Sequence, residues 1–434
     1  MNAVKMLLRW WMASLKHPAT YIFWVLLILY HADGRGHGEI DCVAAPYAAW
    51  AFVRTGSFDV QHYEALKPYF HTSALRQSID GRMVPVRSPG STLAVVPFVA
   101  PFALIHERPL SSPSMHAIGR LAGATYVALL GAVFFIMCRR FAPSSAWPAL
   151  ILVTLGSCLY SVAAQAIWVH GPATFWLMIS LELQTRKEFR RWLPFLAGLA
   201  LGLAVLCRPT TAVFGVASGV AWLLMWDRRL LALIGGGLIP VGYLCWVNWC
   251  HYGSPLLGGY SAEATLEAPP FDVAFAGLLV APSRGLFVYS PACLLLPLGF
   301  AALARRNDLP QVLLWCWSAA ALGTIILFAR WHDWRGGWCY GPRFLCECWP
   351  IIGLLFAIGV DHMTRNRRWI AWLLVAMSVV IHALGVYGAS EYEAWQMRHD
   401  PHVHPEDPYG RSLFEWHDTQ IEAHARGLWR KITR

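Results

Sequence analysis

Charged side chains are scarce in this chain, and their types and settings suggest one kind of chemistry. Glu39 and Asp41 form a carboxylate pair near the start of a long polar stretch. Arg87, Arg208, Arg284 and Arg343 each stand at the edge of an apolar run beside turn residues: Arg87-Ser88-Pro89-Gly90, Arg208-Pro209, Ser283-Arg284-Gly285 and Gly341-Pro342-Arg343. A carboxylate can take the proton of an attacking hydroxyl. A guanidinium offers a planar, permanently charged fork to phosphate oxygens. Together they suit displacement of a phosphate by a hydroxyl, because the departing anion needs fixed cations.

More polar groups stand at similar edges. His170 sits in Trp168-Val169-His170-Gly171-Pro172, and Asp333 in Trp331-His332-Asp333-Trp334-Arg335-Gly336-Gly337. Trp168, Trp334, Tyr289 and Tyr340 lie beside them as candidate substrate contacts. Plainer readings exist for each. Arginines at a membrane edge anchor to lipid phosphates, and Trp and Tyr there form an interfacial belt. Glu39 and Asp41 would point to different faces of a helix. Glu39, Asp41 and Asp333 leave a divalent metal open, though their spacing does not support one; no cofactor is expected.

These residues must be positioned by membrane helices. The chain has 434 residues, 57% hydrophobic and only 14% charged, against about 25% charged in a soluble domain. The apolar runs are continuous rather than alternating, which selects helices over a barrel. Eleven spans are expected: about Pro18–Tyr30, Ile118–Cys138, Ala146–Ala164, Pro172–Leu183, Leu193–Cys207, Thr210–Trp226, Leu230–Trp249, Leu286–Ala304, Val312–Phe328, Phe344–Val360 and Ile370–Val386. Residues 1–16 read as an interfacial helix leading into an uncleaved anchor. Residues 31–117 contain no full span. Within them Leu93–Ile105, with Pro97 and Pro101, is too short to cross and reads as interfacial or re-entrant.

Net charge is +10, and the basic residues form short clusters between apolar runs. Alternate gaps with the N-terminus carry sixteen basic residues; the four short opposite gaps carry five. That asymmetry places the N-terminus in the cytoplasm. The stretch 31–117 and the tail 389–434 then lie outside, as do all the candidate site residues. Mid-span positions are almost free of ionisable groups, which disfavours a through-path for transport. Nothing suggests nucleic-acid binding. Most of the 11 cysteines sit in apolar runs as small hydrophobes. Cys346 and Cys348, two apart on a helix, face different ways and make no metal pair.

This layout resembles the GT-C superfamily of polyprenyl-phosphate-dependent glycosyltransferases, which includes protein O-mannosyltransferases and lipid A aminoarabinose transferases. Asp41 through Gly56 matches the family's "D…A…G" helix after the first span. Arg87-Ser88-Pro89-Gly90 before Leu93–Ile105 stands where the family carries a basic residue and a "PPLG"-like turn, here without the doubled proline and with Arg where Lys is frequent. Ser283–Pro291 is similar to "rGLfvYSP", Trp334–Arg343 to "W.GG..yGPR", and Trp168–Pro172 to "lWqHgpa".

The resemblance implies an all-α, polytopic GT-C bundle in the bacterial cytoplasmic (inner) membrane. Residues 1–388 would be the catalytic membrane domain, capped on the periplasmic side by loop 31–117, and 389–434 a periplasmic tail. It implies inverting sugar transfer from a polyprenyl phosphate to an envelope glycan, lipid or protein acceptor. Asp41 would be the base, with Glu39 its nearest competitor. Arg87, Arg343, Arg284, His170 and Arg208 would hold the donor phosphate; Trp168, Tyr289, Asp333, Trp334 and Tyr340 would touch substrate. The alternatives are a lipid-linked-sugar flippase, or an envelope polymer ligase with a diphosphate-linked donor.

Overall fold

The computed structural model describes residues 17–33, 40–70, 72–186, 190, 192–259, 267–308, 310–388, 392–399, 407, 409–433. Glu39 and the expected N-terminal interfacial helix lie outside them. Among the described residues the regular structure is helical apart from one short hairpin, as an apolar chain that must satisfy its own backbone requires.

Helix α1 (Pro18–His31) leads into α2 (Ile40–Thr55). The hairpin pairs β1 (Leu75–Gln77) with β2 (Met83–Pro85) antiparallel, Leu75 opposite Pro85. Then come α3 (Pro89–Ala103), the 30-residue α4 (Ser112–Phe141), α5 (Ala146–Leu155), α6 (His170–Gln184), α7 (Leu193–Cys207), α8 (Ala212–Leu224) and α9 (Leu230–Tyr252). The remainder is α10 (Phe271–Val280), α11 (Leu296–Arg305), α12 (Gln311–Ala329), α13 (Trp349–Asp361), α14 (Arg368–Tyr387), α15 (Tyr392–His399) and α16 (Gln420–Thr433). Among the described residues, five helical segments are long and apolar enough to cross a membrane by length and composition; seven apolar helices are shorter.

The eleven expected spans fall on helical segments, but not as eleven unbroken rods. The run expected over Leu286–Ala304 is cut at Ser290-Pro291 into a short turn of helix, a 3₁₀ turn and α11. Proline has no N–H to continue the ladder. The run from Phe344 begins as 3₁₀, Arg343–Cys348, and becomes α13 at Trp349-Pro350. Helix α10, ten residues long, was not anticipated. The segment expected as interfacial is α3, largely buried and packed on α2, α4 and α7.

Helices associate through small residues where apolar burial alone gives no preference over lipid. On α7, Gly198 lies against the carbonyl of Leu233; on α9, Gly236 lies against that of Phe195. Elsewhere a large core gathers Trp317, Trp349, Phe134, Phe214 and Phe356, all fully buried. Cys346 Sγ faces Cys158 Sγ at 3.2 Å and Cys348 Sγ faces the carbonyl of Ala321 at 3.8 Å, so the two do point apart.

Several helices run between two chemically different ends. Helix α6 starts at His170, in the cavity described below, and carries in its last turn Glu182, which binds Arg140 at 2.7 Å. The segment from Arg343 finishes at Asp361, bonded by Ser144. The basic clusters therefore share one end of the bundle, and the aromatic-rich turns the other.

Candidate active site

Four segments meet at that aromatic end, around a cavity of about 1650 Å³. Asp41 enters from the first turn of α2. Arg87 comes from the turn between β2 and α3. Glycine sets its place: Gly90 lies directly on the backbone of Leu206 and Cys207, where a Cβ would collide. That close approach draws the Arg87 turn against the end of α7, whose next residue is Arg208. Arg343 comes from the turn after α12, 302 positions from Asp41.

The carboxylate of Asp41 is gripped from both sides. Arg87 Nη2 donates to Oδ1, and Arg343 Nη1 donates to Oδ2 at 3.0 Å. The three side chains are only 12–16% exposed. Burial by itself would raise the Asp41 carboxyl, but the charges and hydrogen bonds of Arg87 and Arg343 outweigh it and hold it below the ordinary carboxylate value. Arg343 also lies over the Trp168 ring, 4.8 Å to the centroid, and over Phe344 at 5.4 Å, a favourable setting for a desolvated cation.

A second ionic cluster adjoins the first through Phe344. Arg208 lies over Phe328 at 4.8 Å and over Phe344 at 5.4 Å. Its Nη1 donates to both oxygens of Glu347 at 2.7 and 2.8 Å, and His170 Nδ1 pairs with Glu347 Oε1 at 2.8 Å. Glu347 is 2% exposed, so this charge is matched by its partners rather than by water. The cavity then continues between apolar walls: Val205 of α7, Val241, Leu244 and Cys245 of α9, and Leu327 and Phe328 of α12. The geometry is a cationic corner beside a carboxylate, in a cavity that also has apolar walls.

Comparison with known proteins fits this layout. The chain matches no protein-family profile. It is 30% identical over 317 residues to the terminal β-(1→2)-arabinofuranosyltransferase of Mycobacterium tuberculosis, covering 62% of this chain and 49% of that one. The chain thus spans about half the length of that curated relative. Its structure resembles the crystal structures of ArnT from Cupriavidus metallidurans, bound to undecaprenyl phosphate (TM-score 0.54) and in the apo state (TM-score 0.52). Both are 15% identical in sequence; the matches cover 95% and 94% of this chain and 75% of each ArnT chain. The bundle has the GT-C fold.

Within the GT-C bundle the expected site residues divide into two groups. Asp41, Arg87, Arg343, Trp168, His170, Arg208 and Asp333 all line the cavity. Arg284, Tyr289, Trp334 and Tyr340 do not. Arg284 Nη1 donates to Gln420 Oε1 at 2.6 Å, and the Tyr289 hydroxyl lies 2.9 Å from the same oxygen. Trp334 is buried against Gly277 of α10, its Nε1 donating to the carbonyl of Tyr409 at 3.0 Å. Tyr340 donates to the carbonyl of Ile381 at 2.8 Å, and its ring lies 4.5 Å from that of His424, tilted by 48°. Each bonds a partner inside the protein, and none lines the cavity. Glu39 lies outside the described residues.

Two groups had no place in the sequence reading. Glu347 was hidden as the fourth residue of an apolar run, though its spacing of four from Arg343 was a signal for a polar face. Gln420, in the tail, gave none. Among the described residues no group of three or more His, Cys, Asp or Glu is placed to hold a metal ion.

Proposed function

We propose that this protein is a membrane glycosyltransferase that moves a sugar from a polyprenyl-phosphate donor to a hydroxyl of an envelope glycan, lipid or protein. The reaction takes place on the periplasmic side of the bacterial cytoplasmic membrane. The observation that carries this reading is one carboxylate, Asp41, held between two arginines from distant segments at the polar end of an apolar-walled cavity. The GT-C fold, the arabinofuranosyltransferase relative and an ArnT neighbour crystallised with undecaprenyl phosphate point the same way. The basic clusters at the opposite end support this sidedness.

The polyprenyl chain lies along Val205, Val241, Leu244 and Leu327, and its phosphate reaches Arg87, Arg343 and Arg208. Without donor, the two arginines make Asp41 a weak base. A donor phosphate competes for the same guanidinium groups, and as they turn to it the carboxylate regains basicity. The base is thus armed by the substrate that needs it. The acceptor oxygen attacks the anomeric carbon, its proton passes to Asp41, and the carbon–oxygen bond to phosphate breaks with the electron pair leaving on the phosphate. One displacement inverts the anomeric centre. Glu347 keeps Arg208 and His170 in place without consuming the positive charge of Arg87 and Arg343.

The deciding measurement is sugar transfer by Asp41→Asn in purified protein, alongside binding of undecaprenyl phosphate. Loss of transfer with binding retained is expected. Near-normal turnover in that variant would sink the mechanism. Transport of lipid-linked sugar in vesicles lacking any acceptor would instead favour a flippase.

A further inference from the structure

The tail of the chain packs back onto the bundle and places one buried amide at its centre. Gln420, the first residue of α16, is fully buried. Its Oε1 accepts from Arg284 Nη1 at 2.6 Å and from the backbone N–H of Gly341 at 3.0 Å, and lies 2.9 Å from the Tyr289 hydroxyl. Its Nε2 donates to the carbonyl of Cys339 at 2.8 Å, and its own N–H donates to Ser283 Oγ at 3.3 Å. One side chain therefore joins the 283–289 segment to the 339–341 turn.

That turn carries the site. Gly341 has φ +69°, a conformation glycine adopts without strain, and a Cβ there would sit 2.7 Å from the Tyr289 ring. The N–H of Arg343 returns to the carbonyl of Gly341 at 3.0 Å. The backbone position from which Arg343 reaches Asp41 is thus fixed two residues upstream, at the group that Gln420 holds. Arg284 reinforces the same turn by donating to the carbonyl of Gly337 at 3.1 Å, and Gln396 of α15 approaches Cys339 at 3.5 Å.

We infer that Gln420 is a positioning residue for Arg343: the C-terminal segment sets the donor-phosphate arginine through one buried amide, and Arg284 and Tyr289 act through it rather than on substrate. This rests on the proposed role of Arg343 as a donor-phosphate ligand. Gln420→Met keeps the bulk and removes every hydrogen bond of the side chain; Gln420→Glu keeps the acceptor that the Gly341 N–H, Arg284 and the Tyr289 hydroxyl share.

The test is equilibrium binding of undecaprenyl phosphate to the full-length protein in lipid–detergent micelles, with thermal stability followed in parallel. Gln420→Met should weaken binding about tenfold and Gln420→Glu by less than about threefold. In an Arg343→Ala background, Gln420→Met should change affinity by less than about twofold, because the residue it positions is gone. A general packing role would lower stability in both backgrounds alike and leave no such coupling. Wild-type affinity in Gln420→Met, or the same tenfold loss without Arg343, overturns the inference. If Gln420→Met is not recovered folded, Tyr289→Phe removes one donor of the hub. A loss of about threefold supports the inference, and unchanged affinity overturns it. A wild-type protein that binds no undecaprenyl phosphate overturns the donor reading itself, and this inference with it.

Discussion

Both ends of the bundle carry arginine–carboxylate pairs, yet they do different things. At the basic end, Arg140 and Arg186 converge on Glu182, and Arg306 pairs with Asp308 two residues on while donating to the carbonyl of Phe141 at 2.8 Å. These pairs tie helix ends together; the Arg140 and Arg186 side chains are 34% and 41% exposed. The recess beside them is about 440 Å³. At the aromatic end, Asp41 takes partners 46 and 302 positions away, all are nearly buried, and the cavity is some four times larger. An ion pair is therefore no sign of a site. What marks the site is charge from several distant segments, desolvated together, on the wall of a space that a lipid and its phosphate could fill.

The contrast breaks most sharply on Asp41. Asp41→Asn should cut transfer by about 10²- to 10⁴-fold, the usual worth of a positioned base, with undecaprenyl phosphate binding preserved; steady-state kinetics and binding on one preparation check this. Next comes Glu347→Ala. Removing that carboxylate leaves the Arg208 cation buried without its partner, a loss of about 3–5 kcal/mol, read as a lower unfolding temperature in detergent. Should Glu347→Ala be as stable as wild type, the second cluster does not hold the site together as described.

The pH dependence sharpens the comparison. Asp41 has a carboxyl lowered in the folded protein, so its contribution to stability is present above the unfolded value, about 3.9, and is lost as pH falls through the still lower folded value. In kinetics the same shift separates two profiles. The acid limb of kcat/KM reports the donor-free enzyme and should fall below the ordinary carboxylate range. The limb of kcat reports the loaded enzyme and should lie at higher pH, because phosphate has drawn Arg87 and Arg343 from the carboxylate. Coincident limbs would mean that donor does not compete for those arginines.

How far this was legible in the sequence depended on contrast. Asp41, Arg87, Arg208, His170 and Arg343 stood out because charge beside a continuous apolar run is costly without a purpose. The eleven apolar runs were visible for the same reason, while their breaks at Pro291 and Pro350 required knowing where the chain turns inward. Arg284 and Tyr289 stood in an equally conspicuous stretch, yet they face Gln420 and not the cavity. Residue type and spacing name a polar position but not its partner, and here the partner came from the tail. Glu347 was masked by its apolar neighbours. Helix α10, Phe271–Val280, was missed because ten residues fall short of a span.

The smallest effect tests the other half of the comparison. In Arg140→Ala, Glu182 keeps Arg186 at 3.3 Å, and the lost side chain was one-third exposed. The change in stability should be under about 1 kcal/mol, and transfer and donor affinity should match wild type. The measurement is informative because Glu182 resembles Asp41 on paper, being a nearly buried carboxylate between two arginines. If Arg140→Ala impaired transfer as deeply as Asp41→Asn, cavity and convergence would not be what separates a catalytic carboxylate from one that ties helices together. The assignment of chemistry to one end of the bundle would then fall.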